Sequence, residues 1–246
     1  MKAPTFLLAL LAIAPPALAT PISYSFSNGT RSAQVDFSRS GSDLIVTLTN
    51  TSMADAMVPT DILTAVFFQV DGNPLLTRTS ALVPLGSSVL VGNSGANVTP
   101  GDRVVGGEWS YINGISDPPA HNGGISSTGV GTFGPGNVFP GANLQGPASP
   151  DGVQYGITSL GDNLLTGNGG LSGQHLIKNA MVFTLSGFAD EPSAKITAAR
   201  FLYGTSLEEP QFQGTAVTIV PEPSAIVLAA VGLASLGFIR LRKRSR

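Results

Sequence analysis

Short runs in which apolar and polar positions alternate recur along most of the chain, separated by turn-forming residues. The segment 22–26 (ISYSF) alternates, Asn28-Gly29 marks a hairpin turn, and 33–37 (AQVDF) alternates again. Ser40-Gly41-Ser42 separates this run from 44–49 (LIVTLT), where Leu44, Val46 and Leu48 fall on one face. Alternate side chains of a strand point to opposite faces, so the pattern predicts a three-stranded antiparallel meander. Further strands are expected over 62–70, which ends at Asp71-Gly72, and over 89–91, 104–112, 181–185, 196–203 and 215–220. The stretch 194–202 also fits a short helix. Turn signals at this spacing, with few helical periods, predict an all-β chain: one antiparallel β-sandwich or jelly-roll-like domain.

The middle breaks the pattern. Residues 113–173 hold sixteen of the thirty glycines, with prolines at 118, 119, 135, 140, 147 and 150, and show no apolar period able to build a continuous core. So long a structureless segment is unusual inside a domain, which makes it either a functional loop region or a carrier of short strands. The segment 153–158 is the best strand candidate within it.

The two ends read as addresses. Lys2, the apolar run 6–14 and the small residues Ala17 and Ala19 form the three-part pattern of a secretory signal peptide over 1–19, too short to span a bilayer. Signal peptidase is the expected partner there, with the mature chain starting near Thr20. At the other end, 225–239 is apolar; at ~1.5 Å per residue it covers roughly 22 Å of a hydrocarbon core of ~30 Å. The basic side chains of Arg240, Arg242, Lys243, Arg244 and Arg246 can snorkel to the headgroups and hold the tail on the cytoplasmic side. A marginal transmembrane helix of this kind suits temporary residence in the membrane. Before it, Pro221-Glu222-Pro223 reads equally as a stiff extended segment accessible to a protease or as a helix start with Glu222 near its positive end.

The order VPEP, short apolar helix, terminal Arg/Lys cluster over 220–246 closely resembles the PEP-CTERM sorting signal of Gram-negative bacteria. The resemblance implies processing at Pro221, Glu222 and Pro223 by exosortase, an integral-membrane transpeptidase-like enzyme, and a link to exopolysaccharide and biofilm. Some ice-binding proteins carry a similar tail, so the signal leaves the role of its cargo open. Patches at 48–52 (LTNTS), 63–68 (LTAVFF), 183–188 (FTLSGF) and 201–207 (FLYGTSL) are similar, more loosely, to exosortase-dependent surface proteins.

The body between these ends, 20–219, carries seven basic and fourteen acidic residues, a net charge near −7, although the whole chain reads −2. An acidic body with no Lys/Arg cluster argues against nucleic acid. With no cysteine, thiol catalysis, thiolate zinc sites and lipid acylation at a mature N-terminal cysteine are excluded. The sequons at Asn28, Asn50 and Asn97 read as turn residues.

Chemistry is sparse. His121 and His175 lack metal-ligand spacing and read as solvent-facing loop residues; Asp71, Asp102 and Asp151 read as turn formers, with no regular calcium loop. No metal, cofactor or catalytic set is expected. Glycoside hydrolysis needs two acids at the right separation; Glu108 beside Trp109 is the most suggestive pairing of an acid with a sugar-stacking ring, yet the acids are sparse and spread through turns. Trp109 and Tyr111, two apart, share a face of the expected strand, where they either contact a glycan or fill the sandwich core. An ice-binding face needs a regular threonine array, and the threonines here are scattered. The sequence therefore points to an exported structural or adhesive protein of the cell surface or exopolysaccharide matrix, with a carbohydrate-binding module as the alternative.

Overall fold

Alternation along the first fifty residues does produce the expected meander. The computed structural model describes residues 22–116, 118–188 and 195–217, so the expected signal peptide and the whole element 220–246 lie outside the described residues. The described residues form fifteen strands: β1 (Ile22–Asn28), β2 (Arg31–Ser40), β3 (Asp43–Asn50), β4 (Leu63–Val70), β5 (Thr77–Leu82), β6 (Ser88–Val91), β7 (Ala96–Val98), β8 (Ser110–Asn113), β9 (Gly123–Ser126), β10 (Ile157–Thr158), β11 (Leu176–Lys178), β12 (Ala180–Ser186), β13 (Ile196–Tyr203), β14 (Gln211–Gln213) and β15 (Thr215–Val217). Short 3₁₀ turns join some of them, and no α-helix occurs among the described residues; none is long and apolar enough to cross a membrane. The chain is all-β. The helix alternative over 194–202 is replaced by β13.

The first hairpin turns one residue later than its sequence signal, and the second turns within its own. Asn28 stays in the ladder opposite Arg31, and the loop is Gly29-Thr30, with Gly29 at φ +61°. The next loop, Gly41-Ser42, is closed by Ser40 opposite Asp43, again with glycine at φ +61°. A positive φ at the first loop position matches the right-handed twist of the flanking strands and comes at little cost for glycine.

The strands form two sheets. One has six, in the order β15-β1-β2-β3-β12-β5, all antiparallel. The other runs β14-β13-β4-β10-β11-β6-β7, with β9 pairing both β4 and β8. Here the expectation of a purely antiparallel domain is corrected, because β10 and β11 are parallel, Ile157 opposite Ile177. The intervening segment 159–175 is long enough for the crossover that parallel neighbours require.

The sheets share one core. Val35 and Phe37 on β2, Val46 and Leu48 on β3, and Met181, Phe183 and Leu185 on β12 meet Val66, Phe68, Phe201 and Tyr203 of the other sheet. Aromatic contacts cross the interface: Phe37 to Phe68 at 5.3 Å, and Phe26 stacked on Phe212 at 4.5 Å. A bulge at Thr64, between the pairs Leu63–Tyr203 and Ala65–Leu202, changes the parity of β4 so that both Leu63 and Val66 enter this core.

The nine-stranded sheet is buried on its other face too. Ala65 and Phe67 of β4 and Leu202 pack there with Ile115 and Phe133, and Leu90 and Leu176 pack with Val153, Leu164 and Leu171. Five of these covering residues come from the glycine-rich region. Its apolar residues have no period because each plugs a separate site on a sheet instead of lining one face of an element of its own. Besides β10, it also contributes β9, where Gly123-Gly124 would read as a turn. A Cβ at Gly123 would lie 2.9 Å from the Phe68 ring, and one at Gly124 would lie 3.0 Å from both Phe67 and Phe133. Glycine lets the strand pair with β4 close beside these aromatic rings.

A strap over 139–145 is seated in the same way. A Cβ on Gly106 would come within 1.9 Å of the Pro140 carbonyl oxygen, and one on Gly107 within 2.2 Å of that of Ala142. Backbone clashes of this size cannot be relieved by a rotamer change. Gly107→Ala should therefore destabilise the fold by at least about 2 kcal/mol in denaturant titration, and a loss below about 0.5 kcal/mol would show that the strap does not rest on this backbone.

Candidate functional site

The residues of the expected processing sites, Ala17 and Ala19, Pro221, Glu222 and Pro223, and Arg240, Arg242, Lys243, Arg244 and Arg246, all lie outside the described residues. The described body begins and ends side by side: Ser23 pairs with Val217 and Ser25 with Thr215.

Trp109 and Tyr111 sit in the core, which resolves the two sequence readings against a surface glycan contact. The strand expected over 104–112 is interrupted by a 3₁₀ turn at Gly106–Glu108, and β8 starts only at Ser110. Trp109 is fully buried, 5.0 Å from Phe183, and its Nε1 donates to the Tyr155 carbonyl at 3.1 Å. Tyr111 is buried and stacks on Phe68, while its hydroxyl donates to Asn113 Oδ1 at 2.7 Å. Neither ring has a face open to a sugar.

Glu108 is buried as well. Its Oε1 accepts from the backbone N–H groups of Leu144 and Gln145, and its Oε2 is buried without a partner. Burial pushes the carboxyl above its ordinary range, against the two backbone donors, which pull it down. Tyr155 is close enough to feel this charge: burial first, then Glu108, pushes its hydroxyl up to about 12. Tyr155 holds φ +55°, a left-handed conformation rare for a bulky residue. Three bonds fix it: its N–H donates to the His175 carbonyl at 2.6 Å, its carbonyl accepts from Trp109, and its hydroxyl lies 3.4 Å from His175 Nδ1. Gln145 completes the set, donating to Gly173 and accepting the His175 N–H. Glu108, Tyr155 and His175 thus converge from three distant segments. Their groups bind strap and loop backbone rather than opening to a substrate, so the arrangement fastens the cover of the sheet. Sequence reasoning singled out Glu108 and His175 separately and missed Tyr155, which carries no local signal.

His121 also departs from expectation. It is buried, with Nδ1 2.9 Å from the Pro119 carbonyl and Nε2 without a partner, and burial lowers its pKa. Asp102 is a turn former, its carboxylate accepting the Val104 N–H at 3.1 Å. Among the described residues no group of three or more His, Cys, Asp or Glu is placed to hold a metal ion. On the outer face of the six-stranded sheet, Thr47 lies between Asp36 and Val182, not in a threonine array.

An open concavity lies elsewhere. A cleft of about 310 Å³ separates β5, the last strand of the six-stranded sheet, from β8, and is lined by Leu76, Thr77, Arg78, Tyr111, Ile112, Asn113 and Asn137. Arg78 Nη1 reaches across it to the Tyr111 carbonyl at 3.2 Å. Asn113 is pinned at its rim, donating to the Leu76 carbonyl at 2.7 Å and accepting the Leu76 N–H at 3.0 Å. No sequence pattern marked Arg78.

The raised pKa of Glu108 has a signed consequence. The folded chain retains a proton that the unfolded chain releases near the ordinary value of 4.5, so this group's contribution to stability falls as pH rises from there until it ionises in the fold. Asp162, also pushed up by burial, acts in the same direction, and His121, pushed down, acts in the opposite one. The difference between Glu108→Gln and the parent isolates the carboxyl. Thermal unfolding of the variant should fall less steeply as pH rises above about 4.5; superimposable profiles would refute the buried, proton-retaining carboxyl.

No protein-family model matches the chain, nor does any curated protein or solved structure, so a functional reading rests on its own residues and geometry.

Proposed function

We propose that the chain is an exported protein of the cell surface or exopolysaccharide matrix, structural or adhesive in kind, with a two-sheet β-sandwich as its body. Signal peptidase removes 1–19 at Ala17 and Ala19. The helix 225–239 then holds the body at the inner membrane, with Arg240, Arg242, Lys243, Arg244 and Arg246 inside, until exosortase acts at Pro221-Glu222-Pro223. In this scheme the protein is a substrate.

The observation that carries the reading is the ordered three-part tail, VPEP, apolar stretch and basic cluster, at 220–246. Physical support comes from where the described body ends. Thr215–Val217 are exposed and belong to an outer strand, so cleavage beyond Val217 takes nothing from the described core. The first and last strands pair with each other, which leaves the body closed whichever end is cut.

The test is mass spectrometry of the protein's C-terminus, recovered from cells with and without exosortase. In wild-type cells the chain should end within or beside Pro221–Pro223, and in cells lacking exosortase it should still end at Arg246. Wild-type protein ending at Arg246 would overturn the proposal.

A further inference from the structure

We infer that the cleft between β5 and β8 binds a carboxylate-bearing sugar, a uronic acid unit, with Arg78 holding its carboxylate. This deepens the matrix reading and rests on it for where such a ligand would be met.

The cleft's volume, about 310 Å³, lies at the small end of ligand sites, which run from ~300 to ~1,000 Å³. Apolar Leu76 and Ile112 line it beside the polar groups of Thr77, Arg78, Asn113 and Asn137, and Tyr111 contributes the backbone carbonyl that Arg78 holds. Among these, Arg78 stands out. In a body with twice as many acids as bases, it has no carboxylate partner among the described residues; the ion pair there joins Arg31 to Asp61. One of its five donors is anchored on the Tyr111 carbonyl, while Nε and Nη2 have no acceptor among the described residues. A guanidinium held at one nitrogen has lost part of its rotational freedom before a ligand arrives, and its planar fork matches a carboxylate bidentately.

The neighbouring groups suit ring hydroxyls. Asn113 Nδ2 donates one hydrogen to Leu76 and keeps the second, and its orientation is fixed by the Tyr111 hydroxyl and the Leu76 N–H on Oδ1. Asn137, opposite, has its Oδ1 turned to the Gly134 N–H, which leaves its amide nitrogen to donate. Thr77 adds an exposed hydroxyl.

An extended peptide fits less well, although β5 ends its sheet. The pairing with β12 slips at Thr79, between Arg78–Leu185 and Ser80–Thr184. Farther along, Ala81 and Val83 are already bonded to Val105 and Arg103. A bulge, a charge spanning the gap and an occupied end all oppose strand addition.

Titration calorimetry on the full chain in detergent tests the inference, with trigalacturonate as the probe. Its carboxyl-reduced neutral counterpart, inorganic sulfate and triglutamate serve as comparisons. Saturable binding of trigalacturonate is expected, weakened at least tenfold by Arg78→Gln and severalfold by Arg78→Lys, which keeps the charge but not the fork, and unchanged by Arg200→Gln. The neutral sugar and sulfate should bind at least tenfold more weakly. Absence of binding, equal binding by Arg78→Gln, or equal binding of the neutral sugar would each overturn the site, and triglutamate binding as tightly would overturn its assignment to a sugar. Should Arg78→Gln fail to fold, Asn137→Leu, which fills the cleft from the opposite wall, is read in the same way. Because binding is measured on purified chain, a failure here leaves the C-terminal cleavage result untouched, and the reverse also holds.

Discussion

A sheet that is apolar on both faces needs a cover on each, and the architecture depends on how the second cover is made. β4 sends Val66, Phe68 and Val70 into the core between the sheets and Ala65 and Phe67 to the opposite side. No helix covers that side among the described residues; a glycine-rich segment does. Glycine lets β9 pair closely beside Phe67 and Phe68 of β4, and at 106–107 it seats the strap 139–145, whose Phe139 enters the core between the sheets. The same composition that removes apolar periodicity supplies the close approach. Few of its residues are apolar, yet Ile115, Phe133, Val153, Leu164 and Leu171 each reach a separate site on the sheet.

Close approach brings a polar problem, since a strap lying on a core carries backbone N–H groups away from water. The Glu108 carboxyl meets two of them, at Leu144 and Gln145, and Gln145 in turn meets the loop at Gly173 and His175. Trp109 and Tyr155 close the set with a ring N–H to a carbonyl. An acid beside a tryptophan in sequence thus serves as a fastener in the fold. The price of this arrangement is a carboxyl whose ionised form is disfavoured and a Tyr155 backbone in a left-handed conformation.

The order of strands places the rest. The described body begins and ends at one outer strand pair of the six-stranded sheet, and the polar cleft opens beside the last strand at the other side. In the proposed reading, anchoring and ligand contact therefore use opposite edges of one sheet, and processing at the tail leaves the cleft intact.

Much of the six-stranded sheet was legible in advance, because period-two alternation in β2, β3 and β12 reflects a sheet with one face in the core and one in water. The strand set 22–26, 33–37 and 44–49, the strand at 196–203 and the all-β class all come from that local rule. Other features were not legible, for physical reasons. Gly123-Gly124 carries a turn signal that pairing with β4 overrides, and the choice between glycan contact and core for Trp109 is made only by the packing of Phe183 against it. The convergence of Glu108, Tyr155 and His175, and the lone Arg78 between β5 and β8, depend on segments far apart in the chain. Periodicity is a property of neighbours, so the sequence alone determined the alternating strands; burial and cavities arise from contacts between distant residues, so tertiary structure alone decided which polar groups are buried and which line the cleft.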